Sequence, residues 1–415
     1  MRIGDIRVVQ GDCVEVMQRL PDNTFHAIVT DPPYGLSFMG KAWDNLGHGN
    51  AQQAWHRRWL DEALRVLKPG GHLVAFGGSR TFHRLFSAAE DAGFEIRDCL
   101  MWIYGSGFPK SMNLGKTLEA WNGWGTALKP AHEPVLLARK PLIGTVAANV
   151  LEHGTGGLNI DASRIAAPGE EIKTHSRSPE ASAKENRPVY GEYGPQETHQ
   201  TEGQQLGRWP ANVMLQHLEG CRCDGVKRVG AGEGSFVGEG GEVCEAHEGY
   251  TRPNSSSYTH KQPGHRKTFG EEAVANWVCE PGCPVDQLDT MSNEASRFFY
   301  CAKAAKKEKN AGLEHVEPQK QDASREEGRP GGENPRNRGA SKRANFHPTV
   351  KPVAVMDWLL GMVVPNDGIV LDPFAGSGTT LVAAVQRGVG AVGIEQNPDY
   401  LPLIEGRVRH AQENP

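Results

Sequence analysis

The chain has 415 residues, of which 38% are hydrophobic and 23% charged, and its formal net charge is −5. This composition excludes a chain that is disordered throughout and argues against a surface that binds polyanions over its whole area. No apolar run reaches the roughly 18 residues of a membrane span, and residues 1–10 lack an export-signal pattern, so we expect a cytoplasmic protein without membrane contact.

The first 145 residues alternate short apolar runs with amphipathic segments, which predicts the strands and helices of an α/β sheet. In chain order the pattern predicts a strand at 6–10, a helix at 14–20, a strand at 25–30, a helix at 54–67, a strand at 72–76, a helix at 81–92, and strands at 94–104 and 134–138. The helix at 54–67 is followed by Lys68, Pro69, Gly70 and Gly71, which is a stop signal.

The pattern fades between about 150 and 345, where most of an excess of glycine and proline lies. Shorter structured stretches are predicted at 208–218, 277–288 and 297–300. Residues 302–343 carry 11 lysines and arginines against 7 aspartates and glutamates and few large apolar residues, as expected of a solvated segment. The α/β pattern then resumes with a helix at 353–364, a strand at 368–371, a helix at 380–387, a strand at 391–394 and a helix at 400–410.

The first candidate motif is Asp31, Pro32, Pro33 and Tyr34, directly after the apolar strand at 25–30. The carboxyl ends of strands in open α/β sheets are where ligands bind. Two prolines remove two N–H donors and leave a rigid turn with carbonyl acceptors, a carboxylate and an aromatic ring. Such a turn suits an amino group next to a flat ring; the alternative is a plain proline-rich strand exit.

The second candidate motif also follows a strand and opens a helix, and it runs Asp372, Pro373, Phe374, Ala375, Gly376, Ser377, Gly378, Thr379, Thr380. Its small residues allow a ligand close to the backbone, and the helix N-terminus offers N–H groups to an anion. Thr379 stands where a phosphate-binding P-loop needs lysine, and Leu381 stands where a dinucleotide fingerprint needs glycine. Glu395 ends the next predicted strand, where an acid can bind ribose hydroxyls or be an ordinary strand-end carboxylate.

Together these residues resemble the S-adenosylmethionine-dependent DNA amino-methyltransferases of the β arrangement. In that family an Asp-Pro-Pro-Tyr motif comes first, a target-recognition region follows, and a Phe-x-Gly-x-Gly motif comes last. The resemblance covers about 1–145 and 345–415. It implies a Rossmann-like sheet, mostly parallel with one antiparallel strand, formed by a catalytic half at 1–149 and a cofactor-binding half at 346–415. A partly disordered, irregular target-recognition insertion would occupy 150–345, and the strand at 133–138 resembles the last, antiparallel strand of that fold.

The resemblance also implies roles for individual residues. Catalysis would fall to Asp31, Pro32, Pro33 and Tyr34, with Tyr34 stacked on the base. S-adenosylmethionine would be bound by Asp12, His347, Lys351, Asp372, Phe374, Ala375, Gly376, Ser377, Gly378, Thr379 and Glu395. For Asp12 a simple strand-end turn is the alternative.

The implied reaction is methylation of the exocyclic N6 of an adenine flipped out of double-stranded DNA, in a bacterial or phage-infected cell. Asp at the first motif position favours adenine, and cytosine N4 is the alternative. Cytosine C5 chemistry is disfavoured because the chain has no Pro-Cys dipeptide. A rival of another class is a sequence-specific DNA-binding protein that keeps the fold without activity. The oligomeric state stays open, with a dimer among the alternatives.

Two further groups of residues lie in the middle region. Four cysteines in two close pairs, Cys221 with Cys223 and Cys279 with Cys283, suit a tetrahedral zinc site, for which Cys244 with His247 is a substitute pair. The alternative is free cysteines near a small satellite core. Basic residues that could meet DNA phosphates are Lys303, Lys306, Lys307, Lys309, Arg336, Arg338, Lys342 and Arg343.

Overall fold

The computed structural model describes residues 1–37, 41–105, 107, 111–165, 207–229, 272–292, 294–302, 306–320 and 342–414. Its strands are β1 (Arg2–Ile3), β2 (Ile6–Gln10), β3 (Phe25–Thr30), β4 (Leu67–Phe76), β5 (Glu95–Tyr104), β6 (His132–Arg139), β7 (Val213–Gln216), β8 (Arg222–Val229), β9 (Glu272–Val278), β10 (Tyr300–Ala302), β11 (Gln319–Lys320), β12 (Lys342–Arg343), β13 (Ile369–Asp372) and β14 (Gly390–Glu395). Its α-helices are α1 (Cys13–Met17), α2 (Asn50–Val66), α3 (Phe82–Ala92), α4 (Val146–His153), α5 (Ile160–Ser163), α6 (Pro284–Met291), α7 (Lys306–Asn310), α8 (Val353–Val363), α9 (Thr379–Arg387) and α10 (Leu401–Glu413). The predicted residues Cys244, His247, Lys303, Arg336 and Arg338 lie outside the described ranges.

Within the described ranges, ten strands form one sheet in the order β1-β2-β14-β13-β3-β4-β6-β5-β7-β10. The predicted α/β class with a large, mostly parallel sheet is confirmed. Most predicted elements are found with ends shifted by a few residues. The largest differences are that α2 begins at Asn50 and that β4 already begins at Leu67, where the backbone turns extended at the end of the helix. The predicted stop signal therefore lies inside a strand.

The prediction of one antiparallel strand is wrong, because the described part of this sheet holds two. β6 is antiparallel to both of its neighbours, β4 and β5, as the resemblance implies. The second is the short β1, which folds back on β2 so that Ile3 pairs with Ile6. Gly4 makes this tight reversal possible with a φ of 55°, a conformation that costs glycine little.

Strands from the two ends of the chain alternate in the sheet. β14 is parallel to β2, and β13 is parallel to β3, so the two C-terminal strands lie between two N-terminal ones. β13 and β3 are neighbours in register, with Leu371 opposite Ile28. The loops that follow them therefore leave the same edge of the sheet side by side.

Helices cover both faces of the sheet. On one face α8, α9 and α10 pack on side chains such as Ala27 and Val29. On the other face α1, α2 and α3 pack on their alternate neighbours, such as Ile28. This alternation is what a buried strand requires, because successive side chains point to opposite faces. Both cores are thus continuous beneath the edge where β3 and β13 end.

The described parts of 207–302 add two strands and a separate antiparallel strand pair to this frame. β7 runs parallel to β5, and β10 runs parallel to β7, so both extend the sheet at its edge. β8 and β9 form a separate antiparallel pair. A small core next to them contains Leu215, Cys221, Cys283 and Val285.

In the part of the chain that the structure describes, no helix is long and apolar enough to cross a membrane.

Candidate active site

The two predicted motifs line one cleft of about 2310 Å³ at the edge where the parallel strands end. Small-molecule sites usually have about 300–1,000 Å³, so this cleft has room for more than one ligand. The predicted site residues that line it are Asp12, Asp31, Pro32, Pro33, Tyr34, His347, Lys351, Asp372, Phe374, Ala375, Gly376, Ser377, Thr379 and Glu395. Gly378 is the exception, since a side chain there would point at Ile404 in α10.

The Asp31 carboxylate lies in a network of polar side chains. Its Oδ2 is 2.5 Å from Nζ of Lys351, and its Oδ1 accepts a hydrogen bond of 2.8 Å from the Tyr34 hydroxyl. The same hydroxyl lies 2.8 Å from Oε2 of Glu133. Burial, with the Asp31 and Glu133 carboxylates nearby, raises the pKa of Tyr34 well above its usual value, so the phenol stays protonated and a donor.

Glu133 and Tyr104 are site residues that the sequence reasoning missed. The Tyr104 hydroxyl lies 3.3 Å from Oε1 of Glu133, which stands at the beginning of β6. Because β6 is antiparallel, its beginning lies at the edge where the parallel strands end. An acidic residue at the start of the predicted antiparallel strand was the available signal.

Lys351 contacts the first motif, although the resemblance assigns it to the cofactor pocket. Its ammonium lies 2.5 Å from Asp31 and 3.3 Å from Glu133, and the residue is only 7% exposed. Burial alone would lower the pKa of Lys351, but the two carboxylates outweigh burial and raise it. Lys351 is therefore a buried cation that neutralises two carboxylates, an arrangement in which removal of one partner is costly.

Asp372 holds the second motif in place rather than facing the cleft with open acceptors. Its two oxygens accept hydrogen bonds of 2.6 Å from Thr30 and 2.5 Å from Thr380, and its Oδ1 also accepts one of 3.1 Å from the backbone N–H of Phe374. Burial raises the pKa of Asp372 to about 6 despite these donors. The Thr30 contact joins the end of β3 to the end of β13.

The glycines of the second motif adopt left-handed backbone conformations, with φ of 54° at Gly376 and 81° at Gly378. A Cβ on Gly376 would lie 2.8 Å from Nε2 of His347. The backbone N–H of Gly376 donates to Oε2 of Glu395 over 2.8 Å, and the N–H of Asn397 donates to Oε1. The loop, His347 and Glu395 therefore form one close-packed wall of the cleft.

Arg407 of α10 supports this loop from beneath and was also missed. Its Nη1 donates to the carbonyl of Ser377 over 2.8 Å, and it lies 3.1 Å from Oγ of Ser377 and 3.0 Å from Oγ1 of Thr379. Burial lowers the pKa of Arg407 to about 10, which leaves the guanidinium charged at neutral pH. No motif marks this arginine, because it lies in an ordinary helix and contacts the loop only through the fold.

Asp12 and Phe374 complete the predicted cofactor wall. Asp12 caps α1, since its Oδ1 accepts from the backbone N–H of Val14 over 2.9 Å, and it also lines the cleft. The Phe374 ring packs edge-on against Trp59 of α2, with centroids 5.3 Å apart. Asp12 therefore lies in a turn at the end of a strand, as one alternative predicts, and it also lines the cleft.

Asp44 holds the turn that follows Tyr34. Its carboxylate accepts hydrogen bonds from the backbone N–H groups of Gly35 and Leu36, at 2.8 and 3.0 Å. Trp43 next to it is 37% exposed and lines the cleft.

Basic side chains also line the cleft, namely Arg80, Lys129, Lys309 and Arg343. A polyanion could therefore lie across the opening.

A second cluster, at the end of β7, brings His217 together with Cys221, Cys279 and Cys283. The candidate ligand atoms of these four residues all lie within 4.8 Å of one another. The prediction that Cys223 belongs to this group is wrong. Cys223 lies in β8 opposite Trp277 and is exposed, whereas His217 follows β7 directly and stacks on Trp277.

Comparison with known proteins identifies the family. The N6/N4 methyltransferase family model, described as DNA methylase, matches residues 25–406. The type II methyltransferase M.HindIII of Haemophilus influenzae is 27% identical over 200 residues, 37% of this chain and 64% of that protein. The type II methyltransferase M.HpaI of Haemophilus parainfluenzae is 29% identical over 138 residues, 33% of this chain and 39% of that protein. The chain thus spans less than two thirds of either relative.

Among solved structures, the PvuII DNA methyltransferase (cytosine-N4-specific) aligns over 97% of this chain and 88% of its own, with 14% identity and a TM-score of 0.45. The M1.HpyAVI structure aligns over 97% of this chain and 98% of its own, with 13% identity and a TM-score of 0.38. The family model covers most of the sequence. The chain therefore belongs to the N6/N4 DNA methylase family.

Proposed function

We propose that this protein transfers a methyl group from S-adenosylmethionine to the exocyclic N6 of adenine in double-stranded DNA, at a short recognition sequence. The observation that carries the proposal is the adjacency of β3 and β13, which brings the Asp31 motif and the glycine loop into one cleft. A base amine and a methyl donor bound to these two walls would meet between them. Orientation of two reactants in this way is a large source of rate enhancement.

The cofactor wall fits S-adenosylmethionine in chemistry as well as in space. Gly376 allows His347 to pack directly against the glycine loop, because a Cβ there would lie 2.8 Å from its Nε2, and both residues line the cleft. Glu395 presents a carboxylate suited to ribose hydroxyls, and the start of α9 suits the carboxylate of a methionine group. When bound, the cofactor would supply an electrophilic methyl group on a sulfonium.

The Asp31 motif can make an exocyclic amine a better nucleophile. The amine lone pair is delocalised into the base ring, so hydrogen bonds from the NH₂ group to Asp31 and to the Pro32 carbonyl would direct it toward the methyl group. Lys351 and Tyr34 hold the Asp31 carboxylate between them. Asp31 is then placed to take the proton that the amine releases on methylation.

A double helix hides both the amine and the face of the base, so the target must leave the stack to reach this cleft. The volume of the cleft and the basic side chains around it support DNA as the substrate. Tyr34 offers an aromatic ring next to Asp31 for stacking on the flipped base. The choice of adenine rests on the aspartate at the first motif position, as the family resemblance implies.

The test is to incubate the protein with labelled S-adenosylmethionine and long unmethylated double-stranded DNA, and then to identify the modified nucleoside after digestion. We expect N6-methyladenine. N4-methylcytosine would overturn the assignment of adenine but keep DNA as the substrate. Label in RNA or protein alone would overturn the substrate class, and DNA binding without any label would favour the non-catalytic alternative.

Cofactor binding should depend on pH through Glu395. Burial raises the pKa of Glu395 to about 7, although the backbone N–H groups of Asn397 and Gly376 donate to it. Ribose hydroxyls bind a carboxylate more strongly than a neutral acid, so affinity should rise by up to about tenfold as the pH rises from about 6 to about 8. Calorimetric dissociation constants measure this change. Glu395→Gln should bind more weakly and lose this part of the pH dependence, and an equal dependence in both proteins would contradict the role of Glu395.

A further inference from the structure

We propose that His217, Cys221, Cys279 and Cys283 bind a structural zinc ion that holds one wall of the active-site cleft. Three of the four residues are buried and Cys279 is half-buried. Three thiolates and one imidazole form a donor set that zinc prefers in closed structural sites. None of these four side chains has a role in the proposed methyl transfer.

The distances between the donor atoms fit a tetrahedral ion. Nδ1 of His217 lies 3.4 Å from Sγ of Cys279 and 3.6 Å from Sγ of Cys283. With Zn–S near 2.3 Å and Zn–N near 2.1 Å, tetrahedral coordination places N and S about 3.6 Å apart. These two pairs therefore already have the separation that coordination requires, and all four candidate ligand atoms lie within 4.8 Å of one another.

The surroundings of the cluster orient its members. The His217 ring stacks on Trp277, with centroids 3.9 Å apart and planes at 24°. The backbone N–H of Glu280 donates to Sγ of Cys221 over 3.3 Å, a contact that stabilises a thiolate. Gly282, with a φ of 83°, allows the tight turn that returns the chain from Cys279 to Cys283.

Apolar packing at this place is small, which gives a metal a clear structural task. Two of the four buried residues in the local core are the ligand cysteines themselves, Cys221 and Cys283, and the other apolar side chains that pack there are only partly buried, apart from Leu215 and Val285. The ligands come from the end of β7, the start of the β8–β9 pair and the turn before α6. A bound zinc ion would join these three elements where side-chain packing alone is thin.

The joined segment reaches the cleft. Glu219, between the ligands His217 and Cys221, lines the cleft, and its Oε1 lies 3.5 Å from Nζ of Lys309. Side chains of Leu218 and Pro284, each next to a ligand, cover Gly105 at the end of β5. The zinc ion would thus position the part of the cleft wall that carries Glu219. Loss of the zinc ion should lower the rate of methyl transfer to DNA, while S-adenosylmethionine still binds. The first of these readouts rests on the proposed function.

The direct test measures zinc in the full-length protein purified without chelators, by mass spectrometry of the metal. We expect about one zinc ion per chain, and loss of most of it in Cys279→Ser and in Cys283→Ser. The matched control is Cys223→Ser, which removes a nearby cysteine outside the cluster and should keep the metal. A wild-type protein that takes up no zinc even after incubation with micromolar zinc, or equal loss in the control, would overturn the site.

Two further measurements separate loss of the ligand from loss of the fold. His217→Cys supplies a fourth thiolate and should retain zinc, whereas His217→Ala should not. S-adenosylmethionine binding, measured on every variant, reports whether the main sheet is intact, and metal content does not depend on the proposed reaction. In the native protein the ligand thiols should react with a thiol reagent more completely after a chelator has removed the zinc. A disulfide within the cluster of the freshly purified protein would contradict the proposal.

Discussion

Replacement of Asp31 by alanine should lower methyl transfer by at least about 10²- to 10⁴-fold, because the base amine loses its principal acceptor. The dissociation constant for S-adenosylmethionine should change by less than about threefold, since no described hydrogen bond joins Asp31 to the glycine loop. Single-turnover transfer of a labelled methyl group measures the first quantity. Calorimetric titration of the free protein with the cofactor measures the second.

Asp367→Ala is the matched control for this variant. Asp367 is an exposed aspartate just before β13, at the edge of the sheet away from the cleft, and its removal should leave both quantities unchanged. Loss of cofactor affinity and transfer by the same factor in Asp31→Ala would show that Asp31 holds the cofactor or the fold. If Asp31→Ala kept the methyl-transfer rate of the wild type, Asp31 would have no role in the reaction.

Gly376→Ala should weaken S-adenosylmethionine binding strongly while the fold persists. Alanine is strained at a φ of 54°, and its Cβ would lie 2.8 Å from Nε2 of His347. A strained residue of this kind costs about 1–3 kcal/mol, which corresponds to a roughly 5- to 150-fold higher dissociation constant if the loop shifts to relieve it. Calorimetry with the cofactor measures this change, and thermal unfolding checks the fold.

Gly388→Ala is the control that separates backbone strain from the contact with His347. Gly388 ends α9 with a φ of 72°, but a Cβ there meets no described atom within 4 Å. This variant should lose stability by a similar amount and keep cofactor affinity. Equal effects on affinity in the two variants would mean that the glycine loop acts through general stability and not as a close-fitting wall for the ligand.

The parts of the site that could be predicted are those that follow a strand directly. Asp31 ends a run of apolar residues, and Gly376 lies between a strand and a helix, so local sequence is enough to place both at a sheet edge. Glu133 and Arg407 reach the cleft only because β6 runs antiparallel and because α10 packs beneath the glycine loop. Those are long-range relations that local patterns do not contain.

The zinc ligands illustrate the same limit at a smaller scale. Spacing alone groups Cys221 with Cys223, but the pairing of β8 with β9 places Cys223 opposite Trp277, where its side chain is exposed. His217 precedes Cys221 by four residues. It could be identified from sequence as a zinc ligand only if the end of β7 were known. Contact between His217 and Cys279 depends on how the β8–β9 pair lies against the end of β7.

Because β14 pairs with β2, Ile6 meets its partner Ala391 only after residues 390–395 have left the ribosome. The contact of Thr30 with Asp372 likewise joins positions 342 residues apart. Contacts this distant in sequence form slowly, since much chain entropy is lost before they are made. Until then the nascent chain exposes the edges of β2 and β3, which invite wrong pairing. We therefore expect slow refolding from denaturant, with cofactor binding and methyl transfer regained together.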